Sequence, residues 1–255
     1  MYLGLLWLMP VVTFGLGTWQ VQRLSWKQDL IASAEDQLAA PILKLPPKVD
    51  ESALDEFEYR RVEVEGKFRH DQEMLVGPRT NEGQRGYHVI TPLDRSENGG
   101  STILINRGWI SHELADQANR PAAGLPKGKV KIVGLIRNPP PPDSIFSYAN
   151  NPEKNEYYQL NIAEMANHVG SQRVCIFELE PSGRNEVMQS ELIHRIQHGI
   201  PLGFPAVVNY RNQHVSYIFT WYGICLASSI MLALTLRKGP STLEAKLAHQ
   251  RRTFN

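Results

Sequence analysis

The sequence predicts a membrane protein in which two transmembrane α-helices flank a β-rich soluble domain. Three observations predict it. Residues 2–21 carry no charge, residues 217–236 form a second apolar run, and the three-quarters of the chain between them has only short alternating runs. Each apolar run has about the 20 residues that a helix needs to cross the ~30 Å hydrocarbon core of a bilayer.

The first run places a transmembrane helix over residues 1–22. Trp7 and Trp19 fit interfacial anchors at or near its ends. Pro10, Gly15 and Gly17 would weaken a helix in water but are tolerated in a membrane. A cleaved signal peptide is the alternative. The run has no basic residues before it and no A-x-A-like site, and it exceeds the usual ~7–15 apolar residues, so an uncleaved span is expected. With no targeting segment ahead of it, either a presequence has been lost or the span is itself the signal.

Residues 23–216 form the soluble domain. A helix is expected over 24–39, with Leu24, Ile31, Ala34 and Leu38 at roughly helical spacing and Pro41, Pro46 and Pro47 beyond its end. Strand-like runs follow at 59–68, 73–76, 87–93, 102–110 and 129–136, then at 157–160 and 174–179. The runs at 59–68 and 129–136 alternate apolar with charged residues, as half-buried antiparallel strands do. The prolines at 139–142 make a stiff connector. Short helices are expected at 162–169, stopped by Gly170, and at 186–197, ahead of Gly199 and Pro201. Without regular βαβ alternation, this spacing predicts an α+β domain: a twisted antiparallel sheet or small barrel with helical insertions.

The second run places a transmembrane helix over 217–236, closed by Arg237 and Lys238, with a basic tail over 237–255. Two spans put both termini on one side of the membrane. Lys246, Arg251 and Arg252 favour cytoplasm or mitochondrial matrix for that side, although Arg23, Lys27 and Arg211 lie on the other. The charge balance, 27 Lys and Arg against 26 Asp and Glu, argues against a nucleic-acid partner. Two cysteines, with no C-x-x-C, leave a thioredoxin-like or dicysteine copper site unsupported.

No P-loop and no G-x-S-x-G elbow occurs, and Gly15 and Gly17 suit helix packing better than a dinucleotide turn. Glu191, His194 and His198 would share a helix face, which offers either three metal ligands or a solvated polar surface; no zincin glutamate is present. His88 and Arg107 lie in strands beside Gly86 and Gly108. A backbone-satisfied buried histidine and a surface arginine are the simpler readings, and no catalytic set can be assembled. His214 stands apart because it lies three residues before the second apolar run, and ionisable groups at a membrane edge are costly unless paired or liganded. It is a haem-iron ligand candidate, with Tyr217 and Trp221 on one helix face beside it and Arg211 near for propionates. An interfacial histidine reaching water or a neighbour is the alternative.

Four motifs carry a resemblance. L-G-x-W-Q-x-x-R-x-x-W-K-x-x-L-I stands at Leu16, Gly17, Trp19, Gln20, Arg23, Trp26, Lys27, Leu30 and Ile31. R-G-Y-H-V-x-T-P runs over 85–92, including Gly86 and His88, and N-R-G-W is Asn106, Arg107, Gly108 and Trp109. N-N-H-x-x-Y-x-x-T-W matches at Asn212, His214, Tyr217, Thr220 and Trp221, with Gln213 in place of the second asparagine. In these residues the chain resembles the Surfeit locus protein 1 (Shy) family of cytochrome c oxidase assembly factors, from the first span to the second.

The resemblance implies a non-enzymatic membrane chaperone for the catalytic core subunit of complex IV and its assembly intermediates. It further implies haem a as the cofactor handled, with His214 as the natural ligand. The location implied is the mitochondrial inner membrane, or a bacterial one, with the soluble domain in the intermembrane space and both termini in the matrix. The polyproline insertion looks more like fungal members, which favours mitochondria. A haem-modifying or hydrolytic membrane enzyme, or a scaffold without cofactor, are the alternatives. Two spans entering the domain from one surface also place Trp19, Gln20 and Arg23 at the membrane level of His214.

Overall fold

The computed structural model describes residues 2–139, 148–180, 185–208 and 213–237. The polyproline segment beyond Pro139, Arg211, Asn212 and the tail from residue 238 lie outside the described residues. The chain divides into a sheet-rich unit, Ser33–Val208, and a helical unit drawn from both ends of the sequence.

Helix α1 runs over Tyr2–Ala39 and contains Pro10. Thr13 Oγ1 donates to the Met9 carbonyl at 2.7 Å and approaches that of Pro10 at 3.2 Å, in the turn that the proline disturbs. The helix expected over 24–39 is the continuation of α1, because no Gly or Pro lies between residues 18 and 40 to stop it. Helix α4, His214–Arg237, begins three residues ahead of the expected span and so includes His214. Among the described residues it is the one helix long and apolar enough to cross a membrane. Phe219 is 76% exposed on it, and Leu226 and Met231 are also exposed.

In the sheet-rich unit, seven strands stand in the order β1-β2-β6-β7-β5-β4-β3. They are β1 Leu43–Lys44, β2 Arg61–Phe68, β3 Met74–Asn81, β4 Gln84–Asp94, β5 Ile103–Ser111, β6 Lys129–Ile136 and β7 Cys175–Glu178. The end of β2 also pairs with β4, Lys67 opposite Asp94 and Phe68 opposite Leu93, so the sheet curls back on itself. It is mixed rather than antiparallel: β1 lies parallel to β2, and β5 parallel to β7. The parallel pair β5 and β7 is joined through more than 60 residues, enough chain for the crossover that parallel neighbours require.

Period-2 alternation sends β5 into two cores. Ile103 and Ile105 join Val62, Val64, Ile132 and Ile176 in one cluster. Leu104 joins Met74, Ile90 and Cys175 in the other, covered by helix α2, Ile162–Val169. Each such side chain contributes about 1.5–3 kcal/mol by leaving water. Asn161 caps α2 by accepting from Glu164 N, and Gly170 closes it in the left-handed region. Helix α3 covers Asn185–Gln197. The strand expected at 157–160 is not formed. Tyr157 makes one bridge to Val76, while the Asn150 side chain accepts the backbone N–H groups of Tyr158 and Gln159.

Candidate functional site

Within the helical unit, α1 and α4 pack antiparallel. Cys225 Sγ lies 3.4 Å from the Pro10 carbonyl, the rings of Phe14 and Tyr222 are 5.8 Å apart, and Gln20 meets His214. Thr13, Gly17 and Gln20 are buried at the three- and four-residue spacing of one helix face. Gly17 is required for close approach, since a Cβ there would stand 2.7 Å from the Tyr222 ring. The Tyr222 hydroxyl and Thr18 Oγ1 are 3.3 Å apart on the same seam. Toward the other end of the pair, Trp7, Pro10, Phe14, Cys225, Leu232 and Leu236 line an apolar cavity of about 490 Å³.

The first motif therefore divides by direction. Gly17 and Gln20 face α4, whereas Trp19 and Trp26 are exposed, and the Arg23 guanidinium stacks over the Trp26 ring at 4.6 Å. Lys27 is half-buried. His214 is half-buried at the first turn of α4, and its Nδ1 lies 2.7 Å from Gln20 Oε1. Gln20 thus sits at the level of His214, as expected of that residue. Tyr217 and Trp221 follow His214 by three and seven residues, on its face of the helix. Arg211 and Asn212 lie outside the described residues. An imidazole held at Nδ1, with two aromatic side chains about one and two turns further along the same helix face, offers the nitrogen donor that a haem iron takes.

The second and third motifs are brought together in the sheet-rich unit, on neighbouring strands. His88 stands opposite Trp109, and Gly86 packs against the Trp109 indole. Gly108 has φ +98°, and a Cβ on it would meet the Leu202 carbonyl oxygen at 1.6 Å. That bare backbone lets Trp109 exchange two backbone hydrogen bonds with Leu202, at 2.8 and 2.7 Å. Asn106 Oδ1 accepts from Gly108 N at 3.1 Å, holding the bend.

Arg107 is not on the surface as expected; it is 3% exposed. It donates to the Gly124 carbonyl at 3.0 Å, lies over Phe68 at 4.6 Å and faces Glu178 at 3.9 Å. Burial pushes the Glu178 carboxyl above the usual range, against the opposing pull of Arg107. Burial, aided by the charge of Arg79, pushes the His88 imidazole down to about 4. Its ring meets Phe204 edge-on at 5.4 Å.

Sequence reasoning missed a further buried pair, Arg120 and Glu73, 2.7 Å apart. It also missed Arg95, which ties the Pro46, Pro47 and Ser101 carbonyls together. Single charged residues in loops carry no periodic signal that would mark them. His194 and His198 stack at 4.0 Å, and Glu191 pairs with Arg195. Among the described residues no group of three His, Cys, Asp or Glu could hold a metal ion.

Residues 8–226 match the family model described as the SURF1 family. Cytochrome oxidase assembly protein SHY1 of Saccharomyces cerevisiae is 30% identical, over 98% of this chain and 81% of that protein. The SURF1-like protein of Monosiga brevicollis is 36% identical, over 98% and 94%. Surfeit locus protein 1 of Homo sapiens is 35% identical, over 88% and 74%. The similar identities to yeast and animal relatives do not single out a fungal member.

Proposed function

We propose that this chain, which belongs to the SURF1 family, is an assembly factor for cytochrome oxidase, respiratory complex IV. One relative carries that role in its name. The observation that carries the reading here is the 2.7 Å contact between Gln20 and His214. It joins the first family motif to the last in one place, on the seam of a helix pair with exposed apolar faces.

Both helices of that pair cross the membrane in this reading. The apolar length of α4 supports one span, and the uncharged residues 2–21 support the other. The chain is then divided into a span at 1–22, a soluble domain at 23–216, a span at 217–236 and a tail at 237–255. The membrane is the mitochondrial inner membrane, with the soluble domain in the intermembrane space and both termini in the matrix. The protein acts by binding rather than by turnover, on the catalytic core subunit and its assembly intermediates.

The cofactor handled is haem a. His214 would hold its iron, with Tyr217 and Trp221 against the macrocycle. When bound, the haem supplies the redox-active iron that the oxidase requires; this chain supplies an oriented ligand in an apolar setting. The test is haem titration of the full chain in detergent micelles, read by the Soret band. Wild type is expected to bind at least about tenfold more tightly than His214→Ala, the scale of losing a ligand worth about 1.4 kcal/mol or more. Equal binding by the two proteins would remove haem from the account and leave a scaffold.

A further inference from the structure

Gln20 is 8% exposed and presents its amide to α4. A buried amide on an apolar helix is costly unless its polar atoms are bonded, so its presence on the seam calls for a partner. The partner is the His214 imidazole, Nδ1 to Oε1 at 2.7 Å. An amide oxygen has lone pairs and no proton, so the bond requires hydrogen on Nδ1. In a neutral imidazole the lone pair is then on Nε2.

Gly17 lies one turn earlier on α1 and sets how closely the helices meet, through the Tyr222 ring. The amide therefore reaches His214 from a helix whose approach is fixed by packing and not by a mobile loop.

From this geometry we infer that Gln20 is a positioning residue for His214: it accepts the Nδ1–H, selects one tautomer of the imidazole and fixes the ring's orientation. Outer partners of this kind tune a histidine ligand by holding its second nitrogen. The inference deepens the haem reading above and rests on it for its purpose, but the tautomer itself can be read without haem.

The experiment is nitrogen NMR of the full chain, labelled with ¹⁵N-histidine and held in lipid nanodiscs without haem, with His214→Ala assigning the signal. The wild-type spectrum is expected to show His214 with its proton on Nδ1. Gln20→Leu is expected to shift the tautomer ratio toward Nε2–H by roughly fivefold, the scale of one lost hydrogen bond. Gln20→Glu, which keeps an acceptor, is expected to keep the Nδ1–H form. A wild-type proton on Nε2 overturns the assignment, whatever the variants do. So does a Gln20→Leu protein with helical circular dichroism like wild type and an unchanged tautomer ratio.

A parallel haem titration separates the two readings. If the tautomer follows Gln20 while His214→Ala binds haem as well as wild type, the haem reading fails and the positioning role stands. If haem binding needs His214 but the tautomer ignores Gln20, the reverse holds.

Discussion

Arg120 and Glu73 meet with their side chains 0% and 3% exposed. The pair is held further by Arg120 donating to the Leu114 and Ala115 carbonyls. Removing one partner of a buried pair leaves a charge without compensation, which costs about 3–5 kcal/mol, whereas replacing both with apolar residues is often close to neutral. Arg120→Met is therefore expected to lose stability on that scale in urea unfolding, and Arg120→Met with Glu73→Leu to recover most of it. His88 gives a pH signature. Its imidazole is pushed down to about 4 in the folded protein against 6.5 ordinarily. A depressed folded value means the stability tied to neutral His88 is complete above pH 6.5. It drains as pH falls from there through 4, by about 3 kcal/mol in all. Thermal midpoints of wild type should fall more steeply across that window than those of His88→Gln; parallel curves would show that His88 titrates normally.

The antiparallel pairing of α1 with α4 depends on one missing side chain. Gly17→Leu drives a branched group into the Tyr222 ring, an overpacking expected to cost about 1–3 kcal/mol. Thermal unfolding in micelles should show that loss, and adding Tyr222→Ala should restore much of it; no loss in the single variant would mean the helices do not meet there. The elements themselves were largely legible. Alternation found β2 and β6, and the glycine stop found α2, because each signal is local. The parallel partnership of β5 with β7 was not legible, since no turn residue announces a neighbour so distant in sequence. Arg107 was misread for a related reason. It sits in a strand buried on both faces, where in-out alternation no longer distinguishes core from surface. The candidate site was legible only in part. His214 stood out by its place beside an apolar run, but Gln20 lies 194 residues away, and only the fold puts them in contact.

For the whole molecule, the proposal of two spans makes a topological prediction: the segment 23–216 and the basic tail should lie on opposite sides of one membrane. In isolated mitochondria, protease should reach the soluble segment once the outer membrane is ruptured. It should reach the tail only after the inner membrane is dissolved, and digestion of both at the first step would contradict two spans. The family motifs then have two kinds of work. R-G-Y-H-V and N-R-G-W build the sheet, with Gly86 against Trp109 and Gly108 against Leu202, whereas the outer two motifs meet on the helix pair. The most direct measurement of the account is mature cytochrome oxidase in cells lacking their own family member, read as haem a absorbance of isolated membranes. Expression of this chain should restore that absorbance, and His214→Ala, present at the same level, should restore much less. Equal haem a with wild type and His214→Ala would contradict the account.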